Sequence, residues 1–127
     1  MRCVLVSTLK LNMKSAAKKY SVGFRVWINE EQGHFIGIGR VRLLENIQHT
    51  GSITRAAKEM KMSYRQAWQM VEDMNNRSDK PLVEKILGGK GGGGAMVTEA
   101  GGKAIKLFYK LEKEMIKLSE KLSDKIN

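Results

Sequence analysis

The sequence predicts a mainly α fold of the α+β class, and three observations predict it. Two short amphipathic helices, each opened by a serine, meet at a tight break within residues 51–76. A glycine-tipped hairpin pattern follows over residues 82–97. The chain then closes on a helix whose apolar residues recur at heptad spacing.

The elements can be justified in order. Residues 1–20 read as an N-terminal extension that need not be ordered, and its basic, partly apolar opening lacks the small-residue cleavage pattern of a signal peptide. Met13 offers a second start, which would leave residues 1–12 as an upstream addition. Val22, Phe24, Val26 and Ile28 alternate with Gly23, Arg25, Trp27 and Asn29, the period of a strand with one buried face. Glu30-Glu31-Gln32-Gly33 reads as a turn and His34-Phe35-Ile36 as the return, so an N-terminal β-hairpin is expected. From Gly39 the period becomes helical through Val41, Leu43, Leu44 and Ile47, and Gly51 supplies the stop.

Ser52 then caps a helix carrying Ile53, Ala56, Ala57 and Met60. Lys61-Met62 breaks it, and Ser63 caps the next helix, with Ala67, Met70, Val71 and Met74 on one face. Small Ala56 and Ala57 allow the two helices to cross closely, the packing of a helix-turn-helix. Leu82–Ile86 and Ala95–Val97 read as strands flanking the glycine run, and Thr98 caps the last helix. A hairpin in that place is a wing. The expected organisation is therefore a winged helix-turn-helix over residues 21–98 and a long C-terminal helix over 99–127.

Charge narrows the partners. Lys and Arg number 23 against 13 Asp and Glu, a formal +10 that suits a polyanion such as nucleic acid or an anionic membrane surface. Cys3 is the lone cysteine and His34 and His49 are the two histidines, so neither an internal disulfide nor a zinc-like spacing exists, and a reducing cytoplasm fits. No apolar run approaches the roughly 18 residues of a membrane span, so no membrane insertion is expected. Gly89 to Gly94 satisfies G-x-G-x-x-G in letters, but Ala95-Met96-Val97 stands where a dinucleotide site needs a helix. No P-loop and no nucleophile–base set stands out. The chain reads as a non-enzyme with no cofactor and no metal site.

The second helix of the pair, residues 63–76, offers Ser63, Tyr64, Arg65, Gln66, Trp68 and Gln69 away from its apolar face. Arg suits guanine and Gln suits adenine, so this helix is expected in the major groove of double-stranded DNA. Ser52 and Thr54 open the preceding helix. Lys85 at the base and Lys90 at the centre of the wing, residues 87–95, suit flanking backbone or the minor groove. For Trp68 a structural role and a DNA contact are equally open. Three functions remain: a sequence-specific regulator, an architectural DNA-binding protein with little sequence preference, and a protein-interaction module.

At this point a resemblance becomes specific. GSITRAAKEMKMSYRQAWQMVEDMNN, PLVEK and GGKGGGGAMVTEAG resemble the DNA-binding domain of the molybdate-responsive ModE-type regulators, which are related to the LysR-type domain. The resemblance implies a winged helix-turn-helix, a dimerising helix and operator binding. It puts Ser63, Tyr64, Arg65 and Trp68 on the recognition helix and Lys90 at the wing tip. Members of that family carry oxyanion-sensing domains after this region, so no molybdate binding is expected from these 127 residues.

In the last helix Ala104, Phe108, Leu111, Met115, Leu118 and Leu122 are spaced 4, 3, 4, 3, 4. Lysines and glutamates interleave outside that stripe. A helix of about 27 residues spans roughly 40 Å, more than so small a domain covers. Pairing with a second copy is expected, through Phe108, Leu111, Met115, Leu118 and Leu122.

Overall fold

The computed structural model describes residues 18–87 and 94–127. Its elements run β1 (Trp27–Glu30), β2 (Gly33–Gly37), α1 (Ile38–Thr50), α2 (Ile53–Glu59), α3 (Tyr64–Arg77), β3 (Val83–Ile86), β4 (Gly94–Val97) and α4 (Glu99–Ile126). The fold is α+β and dominated by helix. Two compact units divide it. One is Trp27–Phe108, and the other joins the described residues up to Val26 with Tyr109–Asn127.

In the larger unit β1 and β2 pair antiparallel, with a register irregularity between Ile28 and Asn29. α1 buries Val41, Leu43, Leu44 and Ile47 at the centre of the core. Gly51 ends it at φ 70, and its N–H donates to the Ile47 carbonyl at 2.7 Å. That left-handed conformation is easy for glycine and costly for a residue with a Cβ.

Ser52 caps α2, its hydroxyl accepting from the Arg55 N–H at 3.1 Å, and Ile53, Ala56 and Ala57 are buried. The break that follows has a defined geometry. Lys61 sits at φ 56, its N–H donates to the Lys58 carbonyl, and the Met62 N–H reaches the Ala57 carbonyl, both at 3.0 Å. These are the two closing bonds of a Schellman motif, which satisfy carbonyls the helix end would otherwise leave open. Ser63 then caps α3 by accepting from the Gln66 N–H at 3.0 Å, and Ala67, Val71 and Met74 face the core.

β3 and β4 pair antiparallel from Val83↔Val97 to Ile86↔Gly94, forming the expected wing. The tip, with Lys90, lies outside the described residues. Thr98 starts α4: its hydroxyl accepts from the Gly101 N–H at 3.1 Å and donates to the Pro81 carbonyl at 2.7 Å. Gly101 is where the helix and the wing meet most closely. A Cβ there would lie 2.4 Å from the Leu82 carbonyl oxygen and 2.5 Å from a Val97 methyl.

The smaller unit differs from the expected strand over Val22–Ile28. Sheet pairing begins only at Trp27. Upstream, the segment is held by the end of α4. The Val22 N–H donates to Ser123 Oγ at 2.8 Å, and the Val22 carbonyl accepts from Ser119 Oγ. Asn127 treats Tyr20 the same way, accepting from its N–H at 3.0 Å and donating to its carbonyl at 2.7 Å. Lys18 pairs with Asp124. The alternation at Val22, Phe24 and Val26 is therefore genuine, but helix side chains take the place of a partner strand.

Candidate nucleic-acid interface

The face of α3 opposite its core stripe is polar and open. Ser63, Tyr64, Arg65, Gln66 and Gln69 are exposed there, Tyr64 by 47%. A groove of about 540 Å³ runs beside that face, lined by Ser63, Arg65, Gln66, Gln69, Arg40 and Asp73 among others. Thr54 is exposed and Ser52 half-buried at the start of α2, on a cleft shared with Tyr64 and Lys85. The fold thus gathers Ser52, Thr54, Tyr64 and Lys85 at one place and Ser63, Arg65, Gln66 and Gln69 at another, adjoining one.

Trp68 is half-buried, and the Lys85 ammonium lies 5.8 Å from its ring centroid. That is cation–π distance, worth about 0.5–1 kcal/mol at an exposed site. Ring and ammonium thus lie near each other where α3 meets the base of the wing.

Backbone contacts fix where the wing stands. The Ala95 N–H donates to the Gly51 carbonyl at 2.9 Å. Asn75, near the end of α3, accepts from the Leu82 and Val83 N–H groups at 2.8 and 3.2 Å and donates to the Val83 carbonyl at 3.0 Å. One side-chain amide thereby ties the end of α3 to the first strand of the wing.

Sequence reasoning missed a charged network behind α3. Asp73 accepts from Arg40 Nη1 at 2.7 Å and from Arg77 Nε at 3.2 Å, and Arg77 Nη1 continues to Glu30 Oε1 at 3.0 Å. Arg40 also donates to the Phe35 carbonyl at 2.8 Å. Burial works against ionisation of Asp73, yet the hydrogen bonds and charges of Arg40 and Arg77 hold its carboxyl below the usual range. His34 beside them is held below its ordinary value, by burial first and then by Arg40. The sequence signal was the Asp73–Arg77 spacing of four on one helix. The Glu30 partner, 47 residues away, left no local mark.

Of the expected pairing residues, Phe108 is only 1% exposed and serves the core of the larger unit. Leu111 and Leu118 are exposed by 39% and 45%, while Met115 and Leu122 are half-buried. Among the described residues no group of three or more His, Cys, Asp or Glu could hold a metal ion, and no helix is long and apolar enough to cross a membrane.

The sequence pattern of the bacterial regulatory helix-turn-helix proteins of the lysR family matches residues 38–102, from the start of α1 into the first turn of α4. The chain belongs to that family. Within the lysR family its similarity is to ModE-type proteins. It is 40% identical over 94 residues to the DNA-binding transcriptional dual regulator ModE of Escherichia coli (strain K12), covering 74% of this chain and 36% of the relative. It is 37% identical over 103 residues to the molybdenum transport protein ModE of Azotobacter vinelandii, covering 81% and 38%. It is 42% identical over 98 residues to the molybdenum-pterin-binding protein MopB of Rhodobacter capsulatus, covering 77% and 36%. This lysR-family chain thus spans well under half the length of the curated relatives it matches, and the N-terminal hairpin lies ahead of the family pattern.

Proposed function

We propose that this lysR-family domain is a sequence-specific transcription regulator that binds double-stranded DNA as a dimer. One observation carries the reading: α3, fixed by α2, Asn75 and the Asp73 network, turns Tyr64, Arg65, Gln66 and Gln69 outward together. Arg65, in the first turn, is suited to bridge the acceptors of a guanine, and Gln66 and Gln69 are suited to adenine. Lys85, and Lys90 at the tip, take the flanking backbone or minor groove. The formal charge of +10 adds a sequence-independent attraction to phosphate.

Pairing is supported by Leu111 and Leu118, seven residues apart and exposed, while the residues buried along the same stretch of α4 are Glu112, Ser119 and Ser123. These two open positions of the stripe are available to a second copy. Two recognition helices would then address half-sites about 34 Å apart, or a multiple of that.

The test is a competition titration. DNA from upstream of the protein's own gene is set against random duplex at several salt concentrations. Preference for one upstream segment by about a thousandfold or more supports the reading. Equal binding to both points to an architectural protein, and no salt-sensitive binding to either points to a protein-interaction module.

A further inference from the structure

By helical spacing α3 divides into a core strip, an exposed ridge and two flanks. Ala67, Val71 and Met74 face the core, and Arg65 and Gln69 form the ridge away from it. One flank carries Tyr64 and Trp68, on the side of Lys85. The other carries Gln66, Met70 and Asp73, which line the groove of about 540 Å³ together with Arg40. Arg40 comes from the first turn of α1, so each flank of the ridge has a cation supplied by a different element.

The guanidinium of Arg40 is fixed through one of its nitrogens. Nη1 donates to the Phe35 carbonyl at 2.8 Å and to Asp73 Oδ2 at 2.7 Å, with the His34 carbonyl at 3.3 Å. Those bonds occupy both hydrogens of Nη1. Among the described residues Nε and Nη2 have no acceptor, although the side chain is only 17% exposed. The Nε–Nη2 edge is a fork that matches two oxygens of a phosphate with parallel bonds. Phe35 and His34 stand ahead of residues 38–102, which the family pattern matches. The hairpin therefore adds what that pattern does not contain, a pair of carbonyls that preset this arginine.

The ridge selects the occupant. A helix that reads bases lies in the major groove, about 12 Å wide and bordered by a sugar–phosphate backbone on each side. Arg40 stands on the flank, on an element behind the ridge, where a backbone passes and base edges do not. We propose that the Nε–Nη2 edge of Arg40 clamps one phosphate of the strand bordering the major groove on the hairpin side of α3. The inference rests on the DNA-binding reading above and deepens it. The N-terminal hairpin raises affinity by holding Arg40 ready, without itself touching DNA.

The experiment compares the wild type with Arg40→Gln, Arg40→Lys and Arg77→Gln, on the duplex the wild type binds best and on single-base variants of it. Binding is read over a salt series, and a urea midpoint is recorded for each protein. Arg40→Gln is expected to weaken every duplex about tenfold and to lower the salt slope by about one. Arg40→Lys keeps the charge and loses the fork, so it is expected to keep the slope and to bind about threefold more weakly. Arg77→Gln cuts the same network from the far side of Asp73, away from the groove, and is expected to keep the wild-type slope. An unchanged slope in Arg40→Gln overturns the proposal and leaves DNA binding standing. So does a preference lost at one base pair, which would make Arg40 a base contact. A slope lowered equally in Arg77→Gln also overturns it, because overall charge would then account for the effect. If Arg40→Gln does not fold, wild-type affinity in Arg40→Lys still overturns the fork. A wild type that binds no duplex overturns both readings at once.

Discussion

Ala95 donates its backbone N–H to the carbonyl of Gly51 at 2.9 Å, so the return strand of the wing is bonded to the turn that precedes α2. Gly94 leaves no room for a side chain beside it: a Cβ there would lie 2.7 Å from the same oxygen. The base of the wing is thereby bonded to the helix-turn-helix.

That arrangement depends on Gly101 as well. Gly101→Ala forces a methyl toward the Leu82 carbonyl and the Val97 side chain. Because one of the two opposing atoms is backbone, relief requires a shift of α4 or the wing. The expected cost is about 1–3 kcal/mol of unfolding free energy, read by urea denaturation. A variant as stable as the wild type would show that α4 and the wing do not meet so closely.

Lys61 offers the opposite effect. It holds φ 56 at the end of α2 with both Schellman bonds in place. Glycine there removes a strain of about 1–2 kcal/mol and gives back part of it as chain entropy. Lys61→Gly should raise stability by about 0.5–1 kcal/mol in the same titration.

Much of this was legible in the sequence. Ser52, Ser63 and Thr98 were read as caps, and each accepts the expected backbone N–H. Caps are local signals, written within three residues of the helix they start. The stripe Ala67, Val71 and Met74 was legible for the same reason, since a buried face repeats along one helix. Where the partner is remote, sequence said less. The alternation at Val22–Ile28 matches the alternating burial there, but the strand begins only at Trp27, and nothing local told that Ser119 and Ser123 would hold Val22. Glu30 and Arg40 carry no local mark of Asp73, to which the fold's charged network connects them. For Trp68 both a structural role and a DNA contact stay open, with its half-buried ring 5.8 Å from the Lys85 ammonium.

The charged network predicts acid sensitivity. Asp73 and His34 both have folded values below their ordinary ones of 3.8 and 6.5. The unfolded chain therefore binds protons more readily, and stability rises with pH through both windows. His34 contributes fully above about 6.5 and loses its share as the pH falls through its lowered value, with Arg40, Arg77 and Asp73 as the charges around it. Asp73 does the same below about 3.8. Denaturation midpoints between pH 4 and 7 should slope less in His34→Gln than in the wild type. Equal slopes would remove His34 from the account.

The long helix separates two kinds of apolar residue. Leu111→Glu with Leu118→Glu alters exposed positions, so the fold should stay intact while light scattering reports monomers and operator binding weakens. Phe108→Ala instead opens the core, with an expected loss of about 3–5 kcal/mol. An unchanged mass in the double variant would remove the proposed pairing.

The most direct measurement is binding of wild type, Arg65→Ala and Lys90→Ala to a panel of operators carrying single-base changes, at several salt concentrations. If α3 reads sequence, Arg65→Ala loses about 1–3 kcal/mol on the best site and becomes indifferent to the base at one position. Lys90→Ala, at the proposed backbone contact, is expected to weaken every sequence alike and to lower the salt slope by about one. If Arg65→Ala weakens all operators equally, α3 is not the reading helix and the account is contradicted.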